Sequence, residues 1–342
     1  MQQSFTRRQF FKGSIVVALG AAGACALSSC APKGKGSDEE KAAAAMGAAS
    51  GKTVTLHRGY GAAHGDRGFT QVVAAVAEDG TIVDVNIDEY EFFAADVEGA
   101  MPVPNADAGF GESFVEGFVL VSKADNNDAY SARMKEKAQS TQPWLESIKA
   151  IEQNCVGKKA AEIDAADAVS GATLVDTPNY TKLVLEVIGD DAITAKGTLG
   201  EGAAKLSRVN GAAHGEKAFA DAVVLVQDGM AVAASIDEFQ FMDASTDGLK
   251  PVPSSDGKFG ANVVEGKALA SKSQNSDIYS AYMKEKAQAT TEWIASMRSI
   301  EDYIAGKKAD ELKKVRPDAV SGATLVDTVG YVAVAEKAVE MA

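Results

Sequence analysis

The sequence DAVSGATLVDT occurs twice in this chain of 342 residues, at positions 167–177 and again at 318–328. Further matches precede each copy, namely GAAHG (61–65 and 211–215) and MKEKAQ (134–139 and 283–288). The spacing between matched segments stays near 150 residues, which is too long for a solenoid repeat and long enough for a unit with its own hydrophobic core. The chain therefore contains two copies of one unit.

Each unit is predicted to begin with a pair of β-strands. Residues 69–77 and 81–88 are rich in Val and Ile and are separated by Glu-Asp-Gly, and Asp228-Gly229 separates the corresponding runs in the second unit. Asp-Gly between two such runs is a strong signal for a β-hairpin.

Nearer the repeated motif the apolar residues follow a helical period. In both units they recur at i, i+4, i+7 and i+11, as one stripe of a helix does. These residues are Trp144, Ile148, Ile151 and Cys155, and then Trp293, Met297, Ile300 and Ile304. Asp176 and Asp327 precede a further amphipathic run in the position of an N-cap. The predicted fold class is therefore α+β, with a small antiparallel sheet packed with helices in each unit.

The repeated motif combines hydroxyl side chains with a glycine, which lets a bulky group approach the backbone. It resembles the flavinylation motif D-x-x-[ST]-G-A-[ST] of the FMN-binding domain family, found in flavin subunits of the sodium-pumping NADH:quinone oxidoreductase and of Rnf complexes. In that family a separate flavin transferase joins the final Thr hydroxyl to the FMN phosphate. The resemblance implies two covalent FMN groups, at Thr173 and Thr324. It also implies cofactor-binding roles for Asp167, Ser170, Gly171, Ala172, Asp318, Ser321, Gly322 and Ala323. A Gly-centred turn that merely caps a helix is the simpler interpretation of a single copy.

The wider organisation resembles that of two-domain extracellular electron-transfer flavolipoproteins of the same family. It implies an electron carrier without catalytic residues of its own, rather than an enzyme with a dedicated substrate. The implied partners are a flavin transferase for maturation, a membrane-bound donor (a dehydrogenase or quinol) and an extracellular acceptor. Because flavin takes one or two electrons, it can pass electrons singly to such acceptors.

The N-terminus resembles an export signal. Arg7-Arg8 precede a short apolar stretch, as in a twin-arginine signal, and Leu27-Ser28-Ser29-Cys30 resembles a lipobox with Cys30 as the lipidated residue. We predict a signal peptide over 1–29, the lipidated Cys and a flexible tether over 30–52, and FMN-binding domains over 53–190 and 203–342. The predicted location is the extracytoplasmic face of the cell membrane, reached through a lipid anchor.

Composition excludes several other classes of function. The chain has 34 Lys and Arg against 48 Asp and Glu, and cleavage before Cys30 would change its net charge from −14 to −17. A nucleic-acid partner needs clustered cations, which this balance does not favour. Three Cys and three His are too few for a disulfide framework or a multi-His metal centre, so no metal site is predicted.

Two matched histidines and two acidic pairs are further candidates. His64 and His214 could hydrogen-bond a flavin or relay protons, and a role in the turn is equally consistent with their Gly and Ala neighbours. The pairs Asp88-Glu89 and Asp237-Glu238 lie in predicted strands, where neighbouring side chains point to opposite faces. A shared catalytic site of either pair is therefore not expected.

The remaining candidates are interpreted as core residues. Tyr90, Phe92, Phe239 and Phe241 could flank a flavin ring, but core packing is preferred for them. Cys155 corresponds to Ile304 in the second unit, which indicates a buried spacer. Two alternative functions stay open: an extracytoplasmic flavin-dependent reductase of one small acceptor, and a flavin-free surface lipoprotein that binds a ligand.

Overall fold

Both predicted hairpins are present in a computed structural model, which describes residues 51–316 and 319–342. Strand β2 (Gly68–Ala77) pairs with β3 (Ile82–Ala94), and strand β7 (Ala218–Gln227) pairs with β8 (Met230–Asp243). In the second hairpin Asp228 and Gly229 both have positive φ, +51° and +71°. This is the turn geometry whose twist matches that of the flanking strands.

The other elements repeat in the same order. The further strands are β1 (Thr53–Gly61), β4 (Phe118–Ser122), β5 (Thr194–Thr198), β6 (Ala204–Gly211) and β9 (Lys267–Ser271). The helices are α1 (Asn127–Ala138), α2 (Trp144–Cys155), α3 (Thr177–Ile188), α4 (Ser276–Ala287), α5 (Trp293–Ile304), α6 (Ala309–Leu312) and α7 (Thr328–Glu340). The predicted Trp helices are confirmed as α2 and α5.

Two antiparallel sheets and their helices make the fold mixed, as the α+β prediction requires. The first sheet has the order β4-β3-β2-β1-β5 and the second has the order β6-β7-β8-β9. Helices cover one face of each sheet, and each repeat has a core cluster of its own between that face and its helices. Trp144 and Trp293, both fully buried, lie in these two clusters.

The opposite faces of the sheets contact each other, and residues 51–316 and 319–342 lie in one compact unit. One shared cluster contains Val and Leu side chains of both repeats, and another contains aromatic side chains of both. Between them, Arg58 Nη1 lies 2.7 Å from Asp221 Oδ1, and Arg208 Nη1 lies 2.9 Å from Asp88 Oδ2. All four side chains are buried, and each of the two ion pairs joins a residue of one repeat to a residue of the other. A buried charge without such a partner would destabilise the fold.

The segment that connects the two repeats contains a strand. Residues 194–198 form β5, which pairs with β1 and so extends the first sheet beyond the predicted limit at residue 190. The predicted signal peptide, Cys30 and most of the tether fall in residues 1–50, outside the described residues, as does Asp318 of the second motif.

Candidate functional site

Each repeated motif forms a turn that leads into a helix, α3 in the first repeat and α7 in the second. At its centre Gly171 and Gly322 have φ of +87° and +89°, which side chains rarely adopt. A Cβ on Gly171 would lie 3.3 Å from Ala150 Cβ, and one on Gly322 would lie 2.6 Å from Ser299 Oγ. The glycine is thus required by its backbone conformation and by its contact with the Trp helix, and not merely by the approach of a ligand.

The threonines that end the two SGAT segments, Thr173 and Thr324, are exposed, and each contacts a buried serine. Ser147 Oγ lies 3.3 Å from Thr173 Oγ1 and accepts the Thr173 backbone N–H at 3.2 Å. In the second repeat Ser296 Oγ makes both contacts with Thr324 at 3.3 Å. Ser147 and Ser296 are fully buried. A buried hydroxyl with these partners fixes the position of a backbone that the turn alone would leave mobile.

These serines were not predicted, although the sequence contains a signal for them. Each is the third residue after the repeated tryptophan, at a position where both copies keep a hydroxyl. That position lies within the buried stripe of an amphipathic helix, and a polar residue conserved between repeats at such a place indicates a specific partner.

Thr173 borders a cavity of about 630 Å³. Its walls come from the loop after β1, from β3, from α1 and α2, and from the motif, and the second repeat contributes Lys258 and Asn262. The cationic residues of the lining are Arg67, Arg133, Lys137 and Lys258, and its aromatic residues are Phe92, Tyr130, Trp144 and Tyr180. A cavity of this volume with cations and aromatic rings suits a ligand with an anionic group and a flat ring system.

Asp176 and Asp327 stand at the predicted N-cap positions, but their carboxylates bind histidines instead of the helix N-terminus. Asp176 Oδ2 lies 2.8 Å from His64 Nδ1, and Asp327 Oδ2 lies 2.5 Å from His214 Nδ1. The sequence interpretation identified the position correctly and assigned the wrong partner. His64, Asp176 and Thr173 line the same cavity.

A buried lysine with two glutamates lies beside the His64–Asp176 pair. Lys123 Nζ is 2.5 Å from Glu89 Oε1 and 3.0 Å from Glu91 Oε2, and Tyr180 donates its hydroxyl to Glu89 Oε2 at 2.5 Å. Burial alone would raise the pKa of Glu89, but the charges of Lys123 and His64 and the hydrogen bonds outweigh it and lower that pKa. Burial likewise opposes the charge of Lys123, yet Glu89 and Glu91 raise its pKa above the ordinary range.

The second repeat keeps part of this cluster. Lys272 forms an ion pair with Glu238, and Tyr331 donates its hydroxyl to Glu238 Oε2 at 2.8 Å. Gln240 and Tyr282 replace Glu91 and Arg133, which form an ion pair at 3.4 Å in the first repeat. The two sites therefore share the Lys–Glu–Tyr cluster and differ by the two ion pairs that Glu91 makes, with Arg133 and with Lys123.

A nitrogen of His64 and carboxylate oxygens of Glu89 and Glu91 lie within 4.8 Å of one another, as metal ligands can. The Lys123 ammonium already contacts both carboxylates, so a cation entering here would compete with it. The arrangement thus favours a lysine-neutralised acidic pair over a metal site.

The other predicted motif residues lie on the turn itself. Asp167, Ser170 and Ser321 are exposed, whereas Ala172 and Ala323 pack partly against the core clusters of their repeats. Of the first motif, the structure brings Thr173 to the cavity together with the three residues that follow it, Leu174, Val175 and Asp176.

Three interpretations of strand faces and core residues are confirmed. Asp88 faces Arg208 between the sheets, while Glu89 faces Lys123 on the helical side, so neighbouring carboxylates do point to opposite faces. The aromatic candidates Tyr90, Phe92 and Phe239 are buried in a cluster against which Phe241 packs. Cys155 is buried in the core of the first repeat, and burial raises the pKa of its thiol to about 11.

No family model, curated protein or solved structure matches this chain. Within residues 51–316 and 319–342 no helix has the length and apolar character needed to cross a membrane.

Proposed function

We propose that this chain is a membrane-anchored extracytoplasmic electron carrier with two FMN groups, one bound covalently through its phosphate to Thr173 and the other to Thr324. One observation carries the proposal. In both repeats the motif presents an exposed threonine hydroxyl supported by a buried serine, and in the first repeat that hydroxyl borders a cavity with cations and aromatic rings.

The residues of the first cavity fit the chemical parts of FMN. A phosphate esterified to Thr173 would lie at the edge of a lining that contains Arg67, Lys137 and Lys258, whose charges oppose its own. Tyr130 and Phe92, each 8% exposed, offer aromatic surface for the ring system. When bound, FMN supplies one- and two-electron transfer, and the protein supplies orientation and electrostatics.

The anchoring and the partners are proposed from the sequence. Lipid on Cys30 would hold the carrier near a membrane dehydrogenase or quinol as electron donor, with residues 31–52 as the tether. A flavin transferase would attach both FMN groups, and acceptors outside the cell would receive the electrons. A covalent bond suits this location because a dissociating cofactor would be lost by diffusion.

Replacement of the two threonines tests the proposal. Thr173→Val and Thr324→Val keep the β-branched shape and remove the oxygen, so each should lower the mass of the exported protein by one FMN phosphoester while the fold survives. The double variant should be colourless and give no in-gel flavin fluorescence. Thr141→Val is the matched control, because Thr141 also places an exposed hydroxyl in the cavity lining and should keep both flavins. Full flavin content in the double variant would contradict the proposal.

The size of the cavity also supports a second candidate, a reductase of one small acceptor. A lining of about twenty residues around 630 Å³ has room for a substrate in addition to part of a cofactor. Turnover that saturates with one acceptor, and that Arg133→Ala abolishes without loss of flavin, would favour this enzyme. A colourless parent protein from a host with the transferase would instead favour a flavin-free binding lipoprotein.

A further inference from the structure

The two Asp–His dyads repeat with the same atoms in both halves of the chain. His64 Nδ1 faces Asp176 Oδ2, and His214 Nδ1 faces Asp327 Oδ2. An ionised carboxylate only accepts hydrogen bonds, so the Nδ1 atom of each ring carries the hydrogen and Nε2 is the nitrogen that is free to exchange a proton. In both repeats the residue that fixes this tautomer is the aspartate at the N-cap position of the following helix, α3 or α7.

Each aspartate contacts its histidine and makes no side-chain hydrogen bond to the helix N-terminus. At the start of α3 and of α7, an Asp carboxylate would normally accept backbone N–H groups of the first turn, which stabilises a helix by about 1 kcal/mol. Here both carboxylates are directed to imidazoles instead. A single pair of this kind has a simple structural explanation. Both aspartates, however, contact a histidine in place of helix backbone N–H groups, and this repetition indicates a function of the histidine.

The loop that carries each histidine is held in place by the following helix. In the first repeat Asn179 of α3 donates its side-chain amide to the carbonyl oxygen of Ala63 at 3.0 Å. In the second repeat Gly330 of α7 lies directly against the carbonyl of Ala213. The imidazoles are therefore fixed while their side chains remain 27% and 39% exposed, which keeps them in exchange with water.

We infer that His64 and His214 are the proton-exchange groups of the two sites, each giving a proton to the cofactor of its site on reduction and taking one back on oxidation. The inference rests on the proposed function, because it needs a redox cofactor in the cavity that His64 shares with Thr173. Two electrons from the quinol or dehydrogenase donor and two protons would convert an oxidised flavin to its fully reduced form. His64 Nε2 would supply one proton and water the other, and water would then reprotonate Nε2.

The groups that face His64 from neighbouring elements support this assignment. Asp176, just before α3, and Glu89 and Glu91 of β3 lie next to His64. Tyr180 of α3 and Arg133 of α1 line the same cavity, and Lys123, after β4, contacts both glutamates. Burial and neighbouring charges raise the pKa of Tyr180 well above its usual value, and the pKa of Glu89 is lowered. Lys123 is held as an ammonium by its two carboxylates. The pKa shifts of Tyr180, Glu89 and Lys123 keep these three groups in one charge state near neutral pH, and imidazole is the side-chain type that exchanges protons in that range.

The test uses the full-length flavinylated protein with Thr324→Val, which would leave one flavin at Thr173. Reduction by a reduced viologen is followed by stopped-flow absorbance between about pH 6 and 8, in H₂O and in D₂O. We expect the rate to fall as pH rises and to be slower in D₂O. With His64→Gln added, it should drop by about 100-fold at the lower pH and lose both dependences. Flavin content by mass should be unchanged, and His57→Gln, which alters the histidine outside both sites, should behave as the parent.

Two further variants separate proton exchange from a structural role. Asp176→Asn removes the charge that fixes the tautomer, and it should shift the pH profile while the flavin remains bound. In the reciprocal background, Thr173→Val, it is His214→Gln that should slow reduction. An unchanged rate and pH profile in His64→Gln would overturn the inference and leave the flavin proposal intact. Should His64→Gln acquire no flavin, the Thr324→Val protein decides the question. A rate of flavin reduction in that protein that is independent of pH and of D₂O also overturns the inference. Absence of flavin from Thr324→Val itself would overturn the proposed function, and this inference with it.

Discussion

The threonine hydroxyls proposed as attachment atoms are held in one direction although their side chains are exposed. Their buried serine partners contact both the hydroxyl and the backbone N–H of the threonine, at 3.2–3.3 Å. A β-branched side chain with a fixed backbone has few rotamers left. In the proposed function, the hydroxyl would thus meet the flavin transferase in a defined orientation, which would reduce the conformational entropy lost on modification.

A buried glutamate on the second Trp helix should make stability depend on pH. Burial raises the pKa of Glu301 to about 7, with the charge of Arg298 opposing the shift. Since the folded state holds the proton more tightly than the unfolded state, the stabilisation is present below the unfolded pKa and is lost as pH rises through 7. Glu301→Gln keeps an acceptor for the Ile236 N–H, which Glu301 Oε1 accepts at 2.7 Å.

We expect Glu301→Gln to gain up to about 3 kcal/mol over the parent above pH 7 and little at acid pH. Urea titrations at several pH values would measure the difference. Asp302→Asn, an exposed neighbour on the same helix, is the control and should leave the pH dependence as it is. A constant difference between parent and variant at all pH values would refute the assignment of this pKa.

In both repeats the helix that follows the motif packs against the loop that carries the histidine, but the residue that makes this contact differs. The amide of Asn179 bridges to that loop in α3, and a bare glycine, Gly330, allows closer packing at the matched position of α7. Divergent residues thus maintain one arrangement of helix and loop, which indicates that the arrangement itself is what both repeats retain.

Gly330→Ala should destabilise the protein, opposite to the usual effect in a helix. Alanine in a helix interior is normally favoured over glycine by up to about 1 kcal/mol. Here the added methyl group would overlap the carbonyl of Ala213, and we expect a net loss of about 1–3 kcal/mol in the free energy of unfolding. Gly189→Ala at the end of α3 is the control, because its Cβ would make ordinary contacts beginning at 3.5 Å. Equal free energies of unfolding of the two variants would show that the loop with Ala213 moves to accommodate the added methyl group.

Strands and helices were predicted correctly where the apolar residues form a clear pattern or a turn signal separates two apolar runs. The hairpins were predicted from runs rich in Val and Ile on either side of Asp-Gly, and the Trp helices from apolar residues that recur every three to four positions. Helices α1 and α4 were missed because their residues are mostly polar, and in α1 Tyr130 is the buried residue among the twelve described. Strand β5 was missed because Thr194–Thr198 has no alternating apolar pattern and owes its place to β1.

The cavity was beyond sequence reasoning for a different reason. Its lining joins segments that are far apart in the chain, and Lys258 and Asn262 come from the other repeat. The motif and the histidines were each recognised as candidates, but nothing local relates His64 to Asp176, which are 112 positions apart. Only the packing of α3 against the loop after β1 brings them together.

At the scale of the whole molecule, the two repeats are joined by more than their connecting segment. Side chains of both contribute to the two shared clusters, and four buried charges lie between the sheets. Separation of the repeats would leave Arg58 without Asp221 and expose apolar surface on both sheets. We therefore expect the repeats to stay associated even when the chain between them is cut.

A protease site between Gly200 and Glu201, both exposed, would test this expectation. The cut leaves β5 with the first sheet, and the cleaved protein should elute from size-exclusion chromatography at the volume of the intact chain. After separation in denaturant, each fragment should show a cooperative transition from its own core cluster, and the two should recombine one to one. Fragments that elute apart under native conditions would contradict the shared core. The uncleaved protein with the same insertion is the control.

Gln71 and Asp221 occupy the same position in the two repeats, and they touch each other, with Gln71 Nε2 donating to Asp221 Oδ1 at 2.8 Å. A homodimer of identical repeats would bring two copies of one side chain together at this point on its symmetry axis. Two aspartates there would repel, and two glutamines would deprive Arg58 of the carboxylate that Asp221 supplies. Joining both halves in a single gene removes that constraint, because each half can mutate independently. The buried Arg58–Asp221 pair is thus a feature that descendants of a duplicated and fused ancestor can acquire and a symmetric dimer cannot.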